Sequence, residues 1–132
     1  MKQIYFTVIG LICAIYSTTA QTISFADPNF KAKLLQSSTS NNIATAGGFN
    51  YIKIDANNNG EIEVSEVLPV KMLNIGNGSI SSLAGIEYFT NLEFLYCDYN
   101  QITQVDLAAL QNLQSFFCRN NTLTSVAVAG LQ

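Results

Sequence analysis

The chain has 132 residues, with nine acidic side chains against six basic ones and no histidine. Without histidine the Ser–His and Cys–His nucleophile pairs of common hydrolases cannot be built, so we expect no enzyme. The lack of a basic cluster argues against nucleic acid and anionic membrane surfaces as partners.

The N-terminus opens on a leader-like segment. Lys2 supplies a short positive region, Ile4 to Ile15 is mostly apolar, and Ser17-Thr18-Thr19-Ala20 places small residues before Gln21. Residues 1–20 therefore have the layout of a secretory signal peptide cleaved after Ala20. That would send the mature chain to the extracellular space or the cell surface, with the periplasm also compatible. The apolar run is shorter than the roughly 20 residues of a membrane span. Cys13 follows Gly10-Leu11-Ile12, which lacks the small residues of a lipid-anchor site, so a lipid-anchored form is the lesser alternative. Loss of the leader leaves five basic and nine acidic residues, a net charge of −4 on one small domain. Cys97 and Cys118 then remain, too few for the disulfide framework of a small secreted fold.

In the mature chain, Asp27-Pro28 reads as an N-cap followed by proline at the first helical position, and Phe30 to Leu35 continues a short helix. Phe30, Leu34 and Leu35 would seat it on a small core. Residues 36–50 are rich in Ser, Thr, Asn and Gly. Gly47-Gly48 breaks any long helix there, although Asn42 to Ala46 suits a helical turn. Phe49 to Ile54 alternates like a short strand. Pro69 ends the helix expected after Glu66, so a cap region covers 21–69.

Within that cap, Asp55-Ala56-Asn57-Asn58-Asn59-Gly60-Glu61-Ile62-Glu63-Val64-Ser65-Glu66 fills every position of the calcium-loop pattern D-x-[DN]-x-[DN]-G-x5-E. Asp55, Asn57 and Asn59 would offer side-chain oxygens, Glu61 its carbonyl, Glu63 a bound water and Glu66 a bidentate carboxylate, while Gly60 makes the turn and Ile62 anchors the loop. An Asn/Gly-rich turn with incidental acids is the plainer alternative. Three acids in one unpaired loop predict weak Ca2+ binding, about 10⁻⁴–10⁻³ M, hence a structural ion. A dockerin would need a second such loop, and the sequence has none.

From Val70 onward the chain repeats. Leu92, Leu95, Cys97, Asn100, Ile102, Val105, Leu107 and Leu110 return 21 residues on as Leu113, Phe116, Cys118, Asn121, Leu123, Val126, Val128 and Leu131. Val70, Leu73, Ile75 and Ile80 form a fainter copy 22 residues upstream. The spacing reads as L-x-x-L-x-L-x-x-N-x-L, the leucine-rich repeat. Residues 70–132 would make about three coils, the last incomplete.

The ladders of such a solenoid set out its concave face: Met72/Phe94/Ser115, Asn74/Tyr96/Phe117 and Gly76/Asp98/Arg119, with Asn77, Tyr99 and Asn120 at the strand ends. Phe94, Tyr96, Tyr99 and Phe117 would form an aromatic recognition patch, with Asp98 and Arg119 as an exposed ion pair. The plainer readings are that further coils cover the aromatics, that Phe117 turns inward, or that they only favour strand structure. Asn100 and Asn121 would satisfy backbone groups at the turns. Cys97 and Cys118 would be buried free thiols, their parallel Cβ vectors being ill suited to a disulfide. An end at Gly130-Leu131-Gln132, in mid-coil, implies a longer array or pairing through the open C-terminal coil.

The order helix, calcium-type loop, leucine-rich coils resembles the N-terminal cap of internalin-like bacterial surface proteins. The Ile80-x-x-Leu83-x-Gly85-Ile86-x-x-Phe89-x-Asn91-Leu92 stretch is similar to their repeats. The resemblance implies an EF-hand-like cap that seals the first coil, whether or not it holds metal. The expected fold class is therefore α/β: a right-handed leucine-rich-repeat solenoid of short parallel strands, with an extended or 3₁₀ convex side and a small helical cap. The expected function is a secreted or surface module that binds protein or glycan. An accessory N-terminal module of a larger secreted enzyme and a structural spacer are the alternatives.

Overall fold

The structure, a computed structural model, describes residues 20–128. The leader, Cys13 and the repeat position at Leu131 lie outside the described residues. Among the described residues no helix is long and apolar enough to cross a membrane.

Helix α1 spans Pro28–Leu35. Asp27 has extended backbone, and its Oδ1 accepts a 2.8 Å bond from the Asn29 amide, as the capping pattern predicts. Phe30 and Leu34 are fully buried, and Leu35 packs beside them. Phe25 meets Phe30 edge to face at 5.1 Å. The helix is fastened at its exit by Ser37, whose Oγ donates to Leu34 O and accepts from Ile54 N.

Strand β1 (Ala44–Thr45) replaces the helical turn expected at Asn42 to Ala46. It runs antiparallel to β2 (Met72–Asn74), with Ala44 opposite Leu73 and Thr45 opposite Met72. Burying Ala44 and Thr45 against the first repeat strand satisfies an edge that would otherwise stay open, and this tertiary gain outweighs local preference. The strand expected at Phe49 to Ile54 is reduced to the second arm of a tight hairpin. Ile52 N donates to Ala44 O, Ala46 N donates to Asn50 O, and Tyr51 bridges Thr45. Gly47 and Gly48 turn the hairpin with φ of 122° and 57°.

A short helix α2 (Val64–Val67) follows the loop, and Pro69 comes soon after it. The repeats then stack as expected. Strands β2, β3 (Phe94–Tyr96) and β5 (Ser115–Phe117) are parallel, in the register Leu73/Leu95/Phe116 and Asn74/Tyr96/Phe117. On the opposite wall β4 (Gln104–Asp106) pairs with β6 (Ser125–Ala127). The first coil carries instead a 3₁₀ turn at Ile86–Tyr88, entered through Gly85 at φ 108°. A side chain at Gly85 would collide with the Phe25 ring at 2.6 Å, so this glycine lets cap and solenoid close on each other.

Leucine-type positions fill the space between the two walls: Leu73, Leu95, Ile80, Ile102, Phe89 and Leu110 are all fully buried. Burial decays along the array. Val105 is 4% exposed, and its counterpart one coil on, Val126, is 42% exposed. Cys97 is buried, whereas Cys118 is only partly so, which corrects the expectation that both are buried. Phe116 likewise has less cover than Leu95, because the last described coil has a neighbour on one side only.

Candidate functional site: a cap loop and an aromatic strand face

The cap loop is built by backbone amides that converge on side-chain oxygens. Asp55 Oδ1 accepts from Asn59 N at 3.1 Å and Oδ2 from Gly60 N at 3.2 Å. Asn57 Oδ1 accepts from Asn59 N, and Asn59 Oδ1 from Glu61 N. Glu66 closes the ring: Oε1 accepts from Ala56 N at 2.8 Å and from Asn57 N, and Oε2 accepts from Glu63 N. Ile62 is fully buried and anchors the loop, as expected. The segment leaving Ala20 also holds it, through Ile23 N to Ile62 O and Val64 N to Gln21 O, a pairing with no local pattern to announce it.

The acids of the loop take separate tasks. Glu63 accepts from the side-chain amides of Asn59 (2.7 Å) and Asn57 (3.2 Å), and Glu61 reaches out to Lys31 at 2.7 Å. The Glu63 and Glu66 carboxyl groups also meet. A hydrogen bond from Glu66, then one from Asn59, holds Glu63 below the usual carboxylate range. Burial first, then the same contact with Glu63, pushes Glu66 up. Among the described residues no three acidic, cysteine or histidine side chains gather at metal-ligating distance. The donor set is hard oxygen throughout, two adjacent carboxylates with Asp55 and two asparagine amides, and this chemistry fits Ca2+ better than a transition metal.

The second site is the concave strand face. Tyr96 and Phe117 stack with their rings parallel to within 1° and their centroids 4.9 Å apart, so Phe117 stays on the face and does not turn into the core. Phe94 lies one ladder over, half-buried, between Met72 and Ser115. Tyr99 is 60% exposed at a strand end. The expected ion pair is absent: Asp98 Oδ1 accepts from the backbone N of Arg119 at 2.5 Å, and the Arg119 side chain forms no ion pair among the described residues. A short acid directly beside the next coil reaches its backbone before it reaches a long guanidinium. The charged pair on this face is Lys71 with Glu93, at 2.9 Å.

Tyr99 occupies a strained place. Asn77, Tyr99 and Asn120 are equivalent in the repeat and all have positive φ, 54°, 58° and 53°. Asparagine tolerates this left-handed conformation, whereas a tyrosine held there is strained. Tyr99→Asn is therefore expected to raise stability by about 1 kcal/mol in chemical denaturation, while removing an exposed ring from the candidate face. An unchanged or lowered midpoint would show that Tyr99 is held by contacts worth more than the strain.

Burial disfavours the thiolate of both cysteines. Burial, followed by its contact with Cys118, pushes Cys97 far up, and burial also raises Cys118. Cys97 Sγ lies 3.2 Å from Phe117 O, and both thiols are free. The asparagine ladder behaves as predicted. Asn100 Nδ2 donates to Ile75 O and Cys97 O, and its Oδ1 accepts from Gly78 N and Ile80 N. Asn121 repeats this with Cys97 O, Cys118 O and Ile102 N.

One residue escapes the repeat pattern altogether. Phe49, on the cap hairpin, is 92% exposed and stands beside Met72 and Tyr96 at the end of the strand face. The signal was an aromatic following Gly47-Gly48, a position where nothing local could bury it.

Comparison with known proteins agrees with this geometry. Residues 90–131 match the family model of leucine-rich repeats in two copies. No curated protein matches the chain significantly by sequence. Among solved structures, the functional domain of InlJ from Listeria monocytogenes, which includes a cysteine ladder, aligns over 80% of this chain and 20% of its own, with 27% identity and a TM-score of 0.57. The internalin InlF from Listeria monocytogenes aligns over 84% of this chain and 33% of its own, with 21% identity and a TM-score of 0.52. A Clostridium perfringens ZmpB structure of CBM51-2 in complex with GlcNAc and INT domains aligns over 71% of this chain and 16% of its own, with 20% identity and a TM-score of 0.51. The chain thus spans a third or less of the length of each of these three structures. Residues 90–131 are thus leucine-rich repeats, and the chain is similar in fold to the leucine-rich-repeat solenoids of these internalins.

Proposed function

We propose that the chain is a secreted or cell-surface recognition module that binds a protein partner through its concave strand face, with a cap stabilised by Ca2+. The observation that supports it most is the stacked Tyr96/Phe117 pair on a strand face, with Tyr99 exposed at a strand end in a strained conformation. Aromatic side chains of this kind dominate binding energy where they are shielded by a partner. A glycan is the lesser ligand class for the same face. A search of displayed peptide libraries against the whole mature chain tests the reading. Selected peptides should lose about tenfold or more in affinity to Tyr96→Ala or Phe117→Ala. Binding unaffected by both substitutions would move the site elsewhere.

For the cap, Asp55, Asn57, Asn59, Glu63 and Glu66 would hold the ion with the Glu61 carbonyl, neutralising the facing carboxylates of Glu63 and Glu66. Calcium at a few times the dissociation constant should stabilise the fold by about 1 kcal/mol, a shift of several degrees in Tm. Glu66→Gln keeps one oxygen for the Ala56 and Asn57 amides and should abolish the shift. A shift that survives in Glu66→Gln, or none in the wild type, would contradict a calcium-bound cap.

Exposed apolar positions on the last described coil, Val126 and Val128, support pairing through that edge. The match to a chain that joins INT domains to a CBM51-2 favours a second reading, an accessory module within a longer secreted protein.

A further inference from the structure

The ladder Asn74, Tyr96, Phe117 holds two rings and a gap. The Tyr96–Phe117 centroid separation of 4.9 Å matches the spacing of adjacent strands, so the stack runs along the array. Phe117 covers one face of Tyr96. The other face points toward β2, where the register partner is Asn74, whose short amide cannot continue the stack. Above Asn74 and Met72 lies a hollow of about 300 Å³, bounded on its far side by Gly48, Phe49 and Tyr51 of the cap hairpin. A second hollow of about 210 Å³ shares Gly48, Met72 and Tyr96 and runs past Phe94 to Lys71 and Glu93.

We propose that this gap is a slot for one aromatic side chain of a protein partner, which enters as the third ring of the stack between Tyr96 and Phe49. The inference rests on reading the strand face as a binding surface and adds what that surface selects. Three features fix the occupant. The hairpin turn sets where Phe49 stands: Asn50 N donates to Gly47 O, and both glycines take positive φ. Phe49 thus stands in the open at the end of the ladder, where a ring arriving from outside would shield it. The charges at the slot's end cancel, since Lys71 and Glu93 pair at 2.9 Å, so the slot complements a neutral group. Finally, Asn74 Oδ1 is taken by Gly76 N at 3.2 Å, which leaves its Nδ2 to donate to a phenol oxygen or a peptide carbonyl.

The test is an amide-resolved NMR titration of the whole mature chain with N-acetyl-L-tryptophanamide at millimolar concentration, the range expected for one side chain, and with N-acetylglucosamine in parallel. The tryptophan probe should shift Gly48, Phe49, Met72 and Asn74 saturably. Asn74→Tyr builds the third ring into the chain and should abolish these shifts, and Phe49→Ala should weaken binding about fivefold. If Asn74→Tyr does not fold, Phe49→Ala still decides, because its side chain packs almost nothing. The proposal is overturned if the probe leaves these amides unmoved, if both variants respond like wild type, or if only the sugar binds. Selected peptides that need Tyr96 and Phe117 but contain no essential aromatic would sink the slot and leave the binding face standing.

Discussion

Replacing Asn100 with alanine is expected to lower the stability of the fold by about 3 kcal/mol, which corresponds to a drop in Tm of roughly 10–20 °C. The side chain is 8% exposed and fastens three stretches of chain at once. Its Nδ2 serves the carbonyls of Ile75 and Cys97, and its Oδ1 receives the amides of Gly78 and Ile80, with bonds of 2.9–3.0 Å. Truncation leaves buried donors and acceptors unpaired between the first and second coils, and water cannot replace all of them. Asn100→Asp should be nearly as damaging, since a carboxylate cannot donate to Ile75 O and Cys97 O. Asn121→Ala should cost less, because its environment is more open. Urea denaturation of the three variants checks the ranking, and equal effects for Asn100 and Asn121 would contradict it.

Asp27→Ala should cost about 2–3 kcal/mol and should do so through the joint between cap and solenoid. Asp27 caps α1 through Oδ1, while Oδ2 accepts from Ser81 N (2.6 Å), Ser81 Oγ (2.8 Å) and Ser82 N (3.2 Å) across the first coil. Burial acts to raise this carboxyl, but the bonds from Ser81, Asn29 and Ser82 outweigh it and hold it below the usual carboxylate range. The sign of the pH dependence follows. A depressed folded-state value means the stabilisation is fully present above the ordinary carboxylate range and fades as pH falls through the folded value. The difference between wild type and Asp27→Ala should therefore be constant from neutral pH down to about 5 and shrink below about 4. A difference that persists undiminished at pH 3 would mean that packing, and not the charge, holds the joint.

These effects also show which parts of the fold were legible in sequence. Repeat positions were, because a solenoid imposes the same inside-outside choice every 21 or 22 residues: Leu73, Leu95 and Phe116 face in, and Asn74, Tyr96 and Phe117 face out, in the register their spacing predicts. The capped start of α1 was legible because Asp-Pro has few other uses. The strand at Ala44–Thr45 was not, since its main partner, the open edge of β2, is distant in sequence. The same holds for the bridge from Thr22 to Glu63.

At the candidate sites, residue types were readable but their pairings were not. Asp98 sat beside Arg119 as the ladder requires, yet it chose the backbone amide. Phe49 belongs to no repeat, so only the folded hairpin brings it to the end of the aromatic ladder. In the cap loop the oxygens that receive the turn's backbone amides, those of Asp55, Asn57, Asn59 and Glu66, were readable from spacing. The bonding of Asn57 and Asn59 to Glu63 was not, because it depends on how the amides rotate.

The measurement that bears most directly on the function is a crystal structure of the mature chain with its tightest selected peptide. The peptide should lie across β2, β3 and β5, cover the Tyr96/Phe117 stack, and approach Phe49 at the cap end. A peptide seated on the β4–β6 wall, with Tyr96 and Phe117 still exposed, would contradict recognition through the concave face.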